Sequence, residues 1–235
     1  MAAAPVPAAP GRSPPFFFPT GLCAGTIACT GAALILAAMD VRWGVAASGA
    51  DGLTRAWRYV NVALGIVWLA LWPAVAVRER GEGRMVRRDA DPGPWRPLLE
   101  FVAIVIGALP AMGIAAAVDW PADGRAGWMN VAQIVAVQGA VGLLAAGAVS
   151  WRGRPAARAL AAILPALAFA FPLLAFVASQ FYPAADAWWD AFVPLLAIGR
   201  AANGEVTDMF RWVVLAYAAA GGALWAAASW GRQRD

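Results

Sequence analysis

Apolar stretches of about twenty residues recur along the whole chain, and this limits its fold more severely than any other feature. They cover residues 21–39, 57–77, 98–118, 128–150, 159–181 and 210–229. A helix rises about 1.5 Å per residue, so each run is close to the length that crosses roughly 30 Å of hydrocarbon. Strands of a membrane barrel would alternate apolar and polar positions over about ten residues, whereas these runs are apolar on every face. The expected fold is therefore all-α: a polytopic membrane protein of six transmembrane helices. Composition agrees, since 62% of the 235 residues are hydrophobic and only 14% are charged. A water-soluble chain of this kind would leave large apolar patches facing solvent.

The connections orient the helices. Arg78, Arg80, Arg84, Arg87, Arg88 and Arg96 crowd between the second and third runs, and Arg152, Arg154 and Arg158 lie between the fourth and fifth. Positive charge marks the cytoplasmic side, so both connections belong there. Arg232 and Arg234 put the C-terminus on the same side, while Asp119 and Asp123 against the single Arg125 suit an outside loop. An even number of crossings returns the N-terminus to the cytoplasm. The expected location is the bacterial cytoplasmic (inner) membrane.

Residues 1–19 are rich in Ala and Pro and end near the Phe16–Phe18 cluster, a composition that holds no packed core. The first apolar run is too long for an ordinary signal-peptide core and has no clear small-x-small site before Asp40, so it reads as a retained helix.

All 18 basic residues are Arg, and His is absent. A lysine Schiff base, a histidine haem ligand and the usual nitrogen ligands for zinc or copper are thereby excluded. Cys23 and Cys29 sit six apart on one helix and face different directions, as small apolar packing residues do. The net charge of +4 is distributed beside apolar runs, which argues for lipid head groups as neighbours and against nucleic acid. No Walker motif, H-E-x-x-H or nucleophile–base pair occurs. The chain is not expected to be an enzyme by itself, nor to carry a cofactor, and any energy must come from an ion gradient or a partner.

Polar groups inside the runs are few. Glu100 and Arg211 stand just inside the third and sixth runs and are expected to reach towards an interface. Asn61, Gln133 and Gln138 are expected to hydrogen-bond neighbouring helices. Trp43, Trp57, Trp120, Trp128, Trp151, Trp188, Trp189 and Trp230 cluster where runs meet connections, the zone indole prefers. Gly107, Gly113, Gly139, Gly142 and Gly147 permit close helix approach, and Pro110, Pro165 and Pro172 are places where helices kink.

Two connections stand out. Residues 78–97 carry the ordered pattern Arg78-Glu79-Arg80-Gly81-Glu82-Gly83, which reads either as a docking surface or as a solvated topology loop. Residues 182–208 form an external segment with Tyr182, Pro183, Trp188 and Trp189, then an apolar run 191–198 too short to span. A re-entrant or interfacial helix before the last crossing accounts for that run.

The order of these features resembles the permease subunit of an ABC-2 type ABC transporter, in the branch of gliding-motility-type permeases. The second run ends in Trp72-Pro73-Ala74-Val75-Ala76-Val77 and enters Arg78-Glu79-Arg80-Gly81; before the last run, Pro194 leads through an apolar stretch to Arg200 and Gly204. The fourth run with its short basic turn, residues 127–158, is similar in texture. The resemblance implies an ABC ATPase subunit as partner and a second permease subunit, the same or related. It implies that Arg78, Glu79, Arg80, Gly81, Glu82, Arg84, Arg87 and Arg88 dock the ATPase, and that Tyr182, Pro183, Trp188, Trp189, Pro194 and Arg200 form an external gate. A reading from another class is a non-catalytic membrane scaffold or assembly subunit of a larger complex, which also explains missing mid-membrane charges.

Overall fold

The computed structural model describes residues 17–43, 55–81, 96–119, 124–151, 156–181, 193–204 and 208–232, and among them all regular structure is helical. In chain order the elements are α1 (Phe17–Trp43), α2 (Arg55–Ile66), a π-helical segment (Val67–Leu71), α3 (Trp72–Gly81), α4 (Arg96–Asp119), α5 (Gly124–Val149), α6 (Ala156–Phe181), α7 (Pro194–Ala202) and α8 (Asp208–Arg232).

The long helices coincide with the apolar runs because a bilayer leaves the backbone no other partners than its own carbonyls. Five are long and apolar enough to cross a membrane: Gly21–Met39, Ala56–Ala76, Arg96–Val118, Gly127–Val149 and Met209–Trp230. The protein is thus a multi-pass membrane protein on the length and composition of its helices. The remaining long helix, α6, has 26 residues and carries the apolar run 159–181. The Ala56–Ala76 span continues as helix through Arg78, Glu79, Arg80 and Gly81, four residues that sequence analysis assigned to a loop.

Burial sorts the spans into inner and outer. More than half of the α2–α3 and α5 spans is buried, against little more than a quarter of α1 and α4 and less of α8. The core therefore forms around α2–α3 and α5, with Trp68, Leu69, Trp72, Ile104, Ile134 and Ile198 as its largest fully enclosed apolar side chains. Ile35, Leu36, Ile106, Leu109, Val135, Leu173 and Leu215 point outwards and are exposed, the apolar exterior that lipid tails cover.

Small residues set the distances between spans. A Cβ on Gly107 of α4 would lie 2.7 Å from the carbonyl oxygen of Cys23, so α1 and α4 approach backbone to backbone. Gly221 of α8 meets the Leu143 backbone of α5 in the same way, with a Cβ there 2.5 Å from both its carbonyl carbon and oxygen. Gly147 of α5 faces the Gly221 carbonyl one turn further on. Gly113 and Gly139, expected to do likewise, have open space where a Cβ would stand. Pro110 lies inside α4, which runs unbroken from Arg96 to Asp119.

The short helix α7 has a definite start and stop. Val193 is extended at its N-cap, and Pro194 follows at the first helical position, where its missing N–H costs nothing. Gly204 ends it in the left-handed region at φ 76°, its N–H donating to the Ala201 carbonyl at 3.1 Å.

Candidate functional site: a tryptophan and amide stripe along α2 and α3

Trp57, Asn61, Trp68 and Trp72 are separated by four, seven and four residues, the spacing of one helical stripe. At 1.5 Å per residue the stripe runs roughly 22 Å along the axis. Each of its side chains is buried, and each binds a polar group on another element or its own helix.

Near the start of α2, the Trp57 Nε1–H donates to Asn130 Oδ1 of α5 at 2.9 Å. The Asn130 Nδ2 in turn donates to the carbonyls of Ala201 and Ala202 in α7, at 3.1 and 3.3 Å. One amide so joins α2, α5 and the last turn of α7. One turn further in, Asn61 Nδ2 donates to the Trp57 carbonyl at 2.8 Å. Gln138 Nε2 of α5 donates to the Asn61 carbonyl at 2.8 Å and to Asn61 Oδ1 at 3.3 Å, while its Oε1 accepts the Trp68 Nε1–H at 3.1 Å. Both ends of the Gln138 amide are engaged, as a buried amide in a medium without water requires.

At the far end, the Trp72 Nε1–H donates to Glu100 Oε2 at 2.7 Å, and Arg96 Nε donates to Glu100 Oε1 at 2.9 Å. The residue expected to reach towards an interface instead turns inward: Glu100 is 0% exposed. Its physical reason is this donor set, since a carboxylate leaves water only when charge-assisted donors replace its hydration. Arg96 lies one turn before Glu100 on the same helix and keeps 27% of its side chain exposed. Trp68 stacks on Phe101 with centroids 4.9 Å apart and planes 20° apart, and meets Trp72 at 5.6 Å. Gly142 makes room for the stack, because a Cβ there would fall 2.6 Å from the Phe101 ring.

The π segment carries Trp68 of the Gln138 layer and ends just before Trp72 of the Glu100 layer, where the Trp72 N–H donates to the Val67 carbonyl five residues back. Pro73 follows at once. In an α register its ring would collide with the carbonyl of Leu69, four residues earlier, and one extra residue per turn relieves the clash.

The expected site residues fall elsewhere. Pro194 is buried and Arg200 is half-buried in the last turn of α7, on the helix that Asn130 holds. Arg78, Glu79, Arg80 and Gly81 continue α3. Glu82, Arg84, Arg87 and Arg88 of the docking set, and Tyr182, Pro183, Trp188 and Trp189 of the gate, lie outside the described residues. Trp57, read as an interfacial anchor, is 8% exposed and serves the stripe, whereas Trp128 and Trp230 are exposed. Trp68, Trp72 and Asn130 were missed. For the two tryptophans the signal was spacing, since with Trp57 and Asn61 they fall on one stripe of an otherwise apolar helix.

No three His, Cys, Asp or Glu side chains come together to hold a metal ion among the described residues. The chemistry of the stripe is hydrogen bonding and charge pairing between helices. No protein-family model, no curated protein and no solved structure matches this chain.

Proposed function

We propose that this chain is the permease subunit of an ABC-2 type ABC transporter, moving an unidentified substrate with ATP hydrolysed by a partner subunit. On this reading it has six crossings, α6 being the fifth, both ends in the cytoplasm of a bacterial cell, and a second permease subunit beside it. The observation that carries it is the seat of α7. A Cβ on Gly65 of α2 would lie 2.7 Å from both the Leu195 and Ile198 side chains. Gly65 stands ten residues beyond Arg55, roughly 15 Å along the helix. Further out, Asn130 holds the other end of α7, and Gly199 comes near Arg58. The first turn of α7 therefore lies deeper along α2 than its last. That slope supports a re-entrant element bearing Pro194 and Arg200 at the external mouth of a pathway, in a gate that by sequence also takes in Tyr182, Pro183, Trp188 and Trp189.

At the opposite end, α3 delivers Arg78, Glu79, Arg80 and Gly81 beyond the apolar span, and this supports a helical extension that meets an ATPase through charged pairs. The test is to exchange the signs of Glu79 and Arg80 together and purify the tagged protein gently from native membranes. The unaltered chain retains an ATP-hydrolysing subunit, and the exchanged chain loses it along with the stimulated hydrolysis. Respiratory or photosynthetic subunits in place of an ATPase would overturn the reading and favour a scaffold subunit instead. Deleting residues 191–198 is expected to abolish transport while leaving the ATPase attached.

A further inference from the structure

We propose that the π segment Val67–Leu71 is a two-state joint: closing it to an α register turns α3 by about one residue of helical phase, roughly 100°, and withdraws Trp72 from Glu100. The proposal does not depend on what the protein carries or which partner it has.

Three features support it. The extra residue is stored where α2 and α3 meet, marked by the Trp72 N–H bonded to the Val67 carbonyl. Such an insertion is one extra residue in a single widened turn, and the helix runs through it unbroken from α2 into α3. Pro73 holds the joint in the observed register, because its ring meets the Leu69 carbonyl only when the segment closes to an α register. The third feature is asymmetry of restraint. Above the joint, the helix is tied by Asn61 to Gln138 and by Trp57 to Asn130, while Trp68, inside the segment, also donates to Gln138. Below it, the Trp72 indole reaches Glu100, and that bond belongs to the observed register alone. A turn of α3 thus leaves the upper layers in place while removing one donor from a buried carboxylate.

The rotation carries the rest of α3 with it, so Arg78, Glu79 and Arg80 change direction when the joint closes. Conversely, a partner that grips those residues in one orientation selects one register, and only its preference between the two registers shifts the equilibrium.

Spin labels test this. In a chain with Cys23→Ala and Cys29→Ala, labels are attached at Ala74→Cys on the exposed side of α3 and Leu98→Cys on the exposed side of α4. A 100° turn moves the first label by roughly 8 Å, given the radius of a helix with its side chains. The observed register gives the main distance in the chain with native Pro73 and Trp72. Both Pro73→Ala, which removes the proline clash, and Trp72→Phe, which removes the bond to Glu100, are expected to raise the second distance about tenfold in population. Deleting Ala70 removes the spare residue while keeping Trp72 in phase with Glu100, and is expected to leave the main distance alone. One unchanged distance in the native, Pro73→Ala and Trp72→Phe chains would overturn the proposal, and so would two distances that persist without Ala70. If the deleted chain fails to fold, the two substitutions still decide the matter.

Discussion

Helix α5 joins its two main neighbours by opposite means. Towards α8 it offers Gly147 and the Leu143 backbone, and Gly221 presses against them with no side chain between. Towards α2 it offers Asn130 and Gln138, long amides that reach across to indoles and carbonyls. Trp151 adds a bond of the second type at the end of the first interface, its Nε1–H donating to the Leu224 carbonyl at 3.0 Å. The contrast teaches where this bundle can give. Backbones in contact allow no change of distance, whereas side chains with rotatable bonds tolerate small movements and hold direction. The α5–α8 pair is the fixed frame, and α2–α3 is the part suspended within it.

The comparison can be broken most sharply on the glycine side. Gly221→Val places three carbons against the Leu143 backbone, and overpacking of this kind costs about 3 kcal/mol. It is read as a lowered midpoint in detergent-driven unfolding of the purified protein in bicelles. Next comes the charged end of the stripe. Glu100→Ala leaves the Trp72 indole buried without its acceptor and deprives Arg96 of its pair, for a loss of about 2 kcal/mol by the same measurement. A smaller effect follows from the amide layer. Gln138→Leu costs about 1 kcal/mol, and a double-mutant cycle with Trp68→Phe returns part of that as coupling, since the two side chains share a bond. Purely additive losses would show that the Trp68–Gln138 bond contributes nothing. The least change is expected at Gly139, whose Cβ position is open: Gly139→Ala stays within about 0.5 kcal/mol of the parent or stabilises it. A loss there as large as that at Gly221 would erase the distinction between the two faces.

The placement of the helices was legible because bilayer thickness imposes it. The expected run 21–39 coincides with the span Gly21–Met39, and 57–77, 98–118, 128–150 and 210–229 each fall within about two residues of an observed span. Hydropathy reports how apolar a stretch is and says nothing of which way each residue turns. Glu100 shows the consequence: its position at the edge of a run suggested a side chain reaching outwards, and only the arrival of Trp72 and Arg96 beside it reveals an inward one. Asn61 and Gln138 were legible as helix-to-helix bonds, because an amide in a span has few other satisfactory surroundings. The π segment was not, although Pro73 in the middle of an apolar run was its visible cause. The open space at Gly113 and Gly139 makes the same point from the other side, since small residues permit contact without requiring it.

The chain has 13 tryptophans, and the three on the central stripe each give the indole N–H to an acceptor within the protein. In heavy water, hydrogens held in this way are replaced by deuterium only as fast as the surrounding helices part. Trp57, Trp68 and Trp72 are therefore built-in clocks at three depths, and the order in which they take up the isotope records which end of the bundle breathes first.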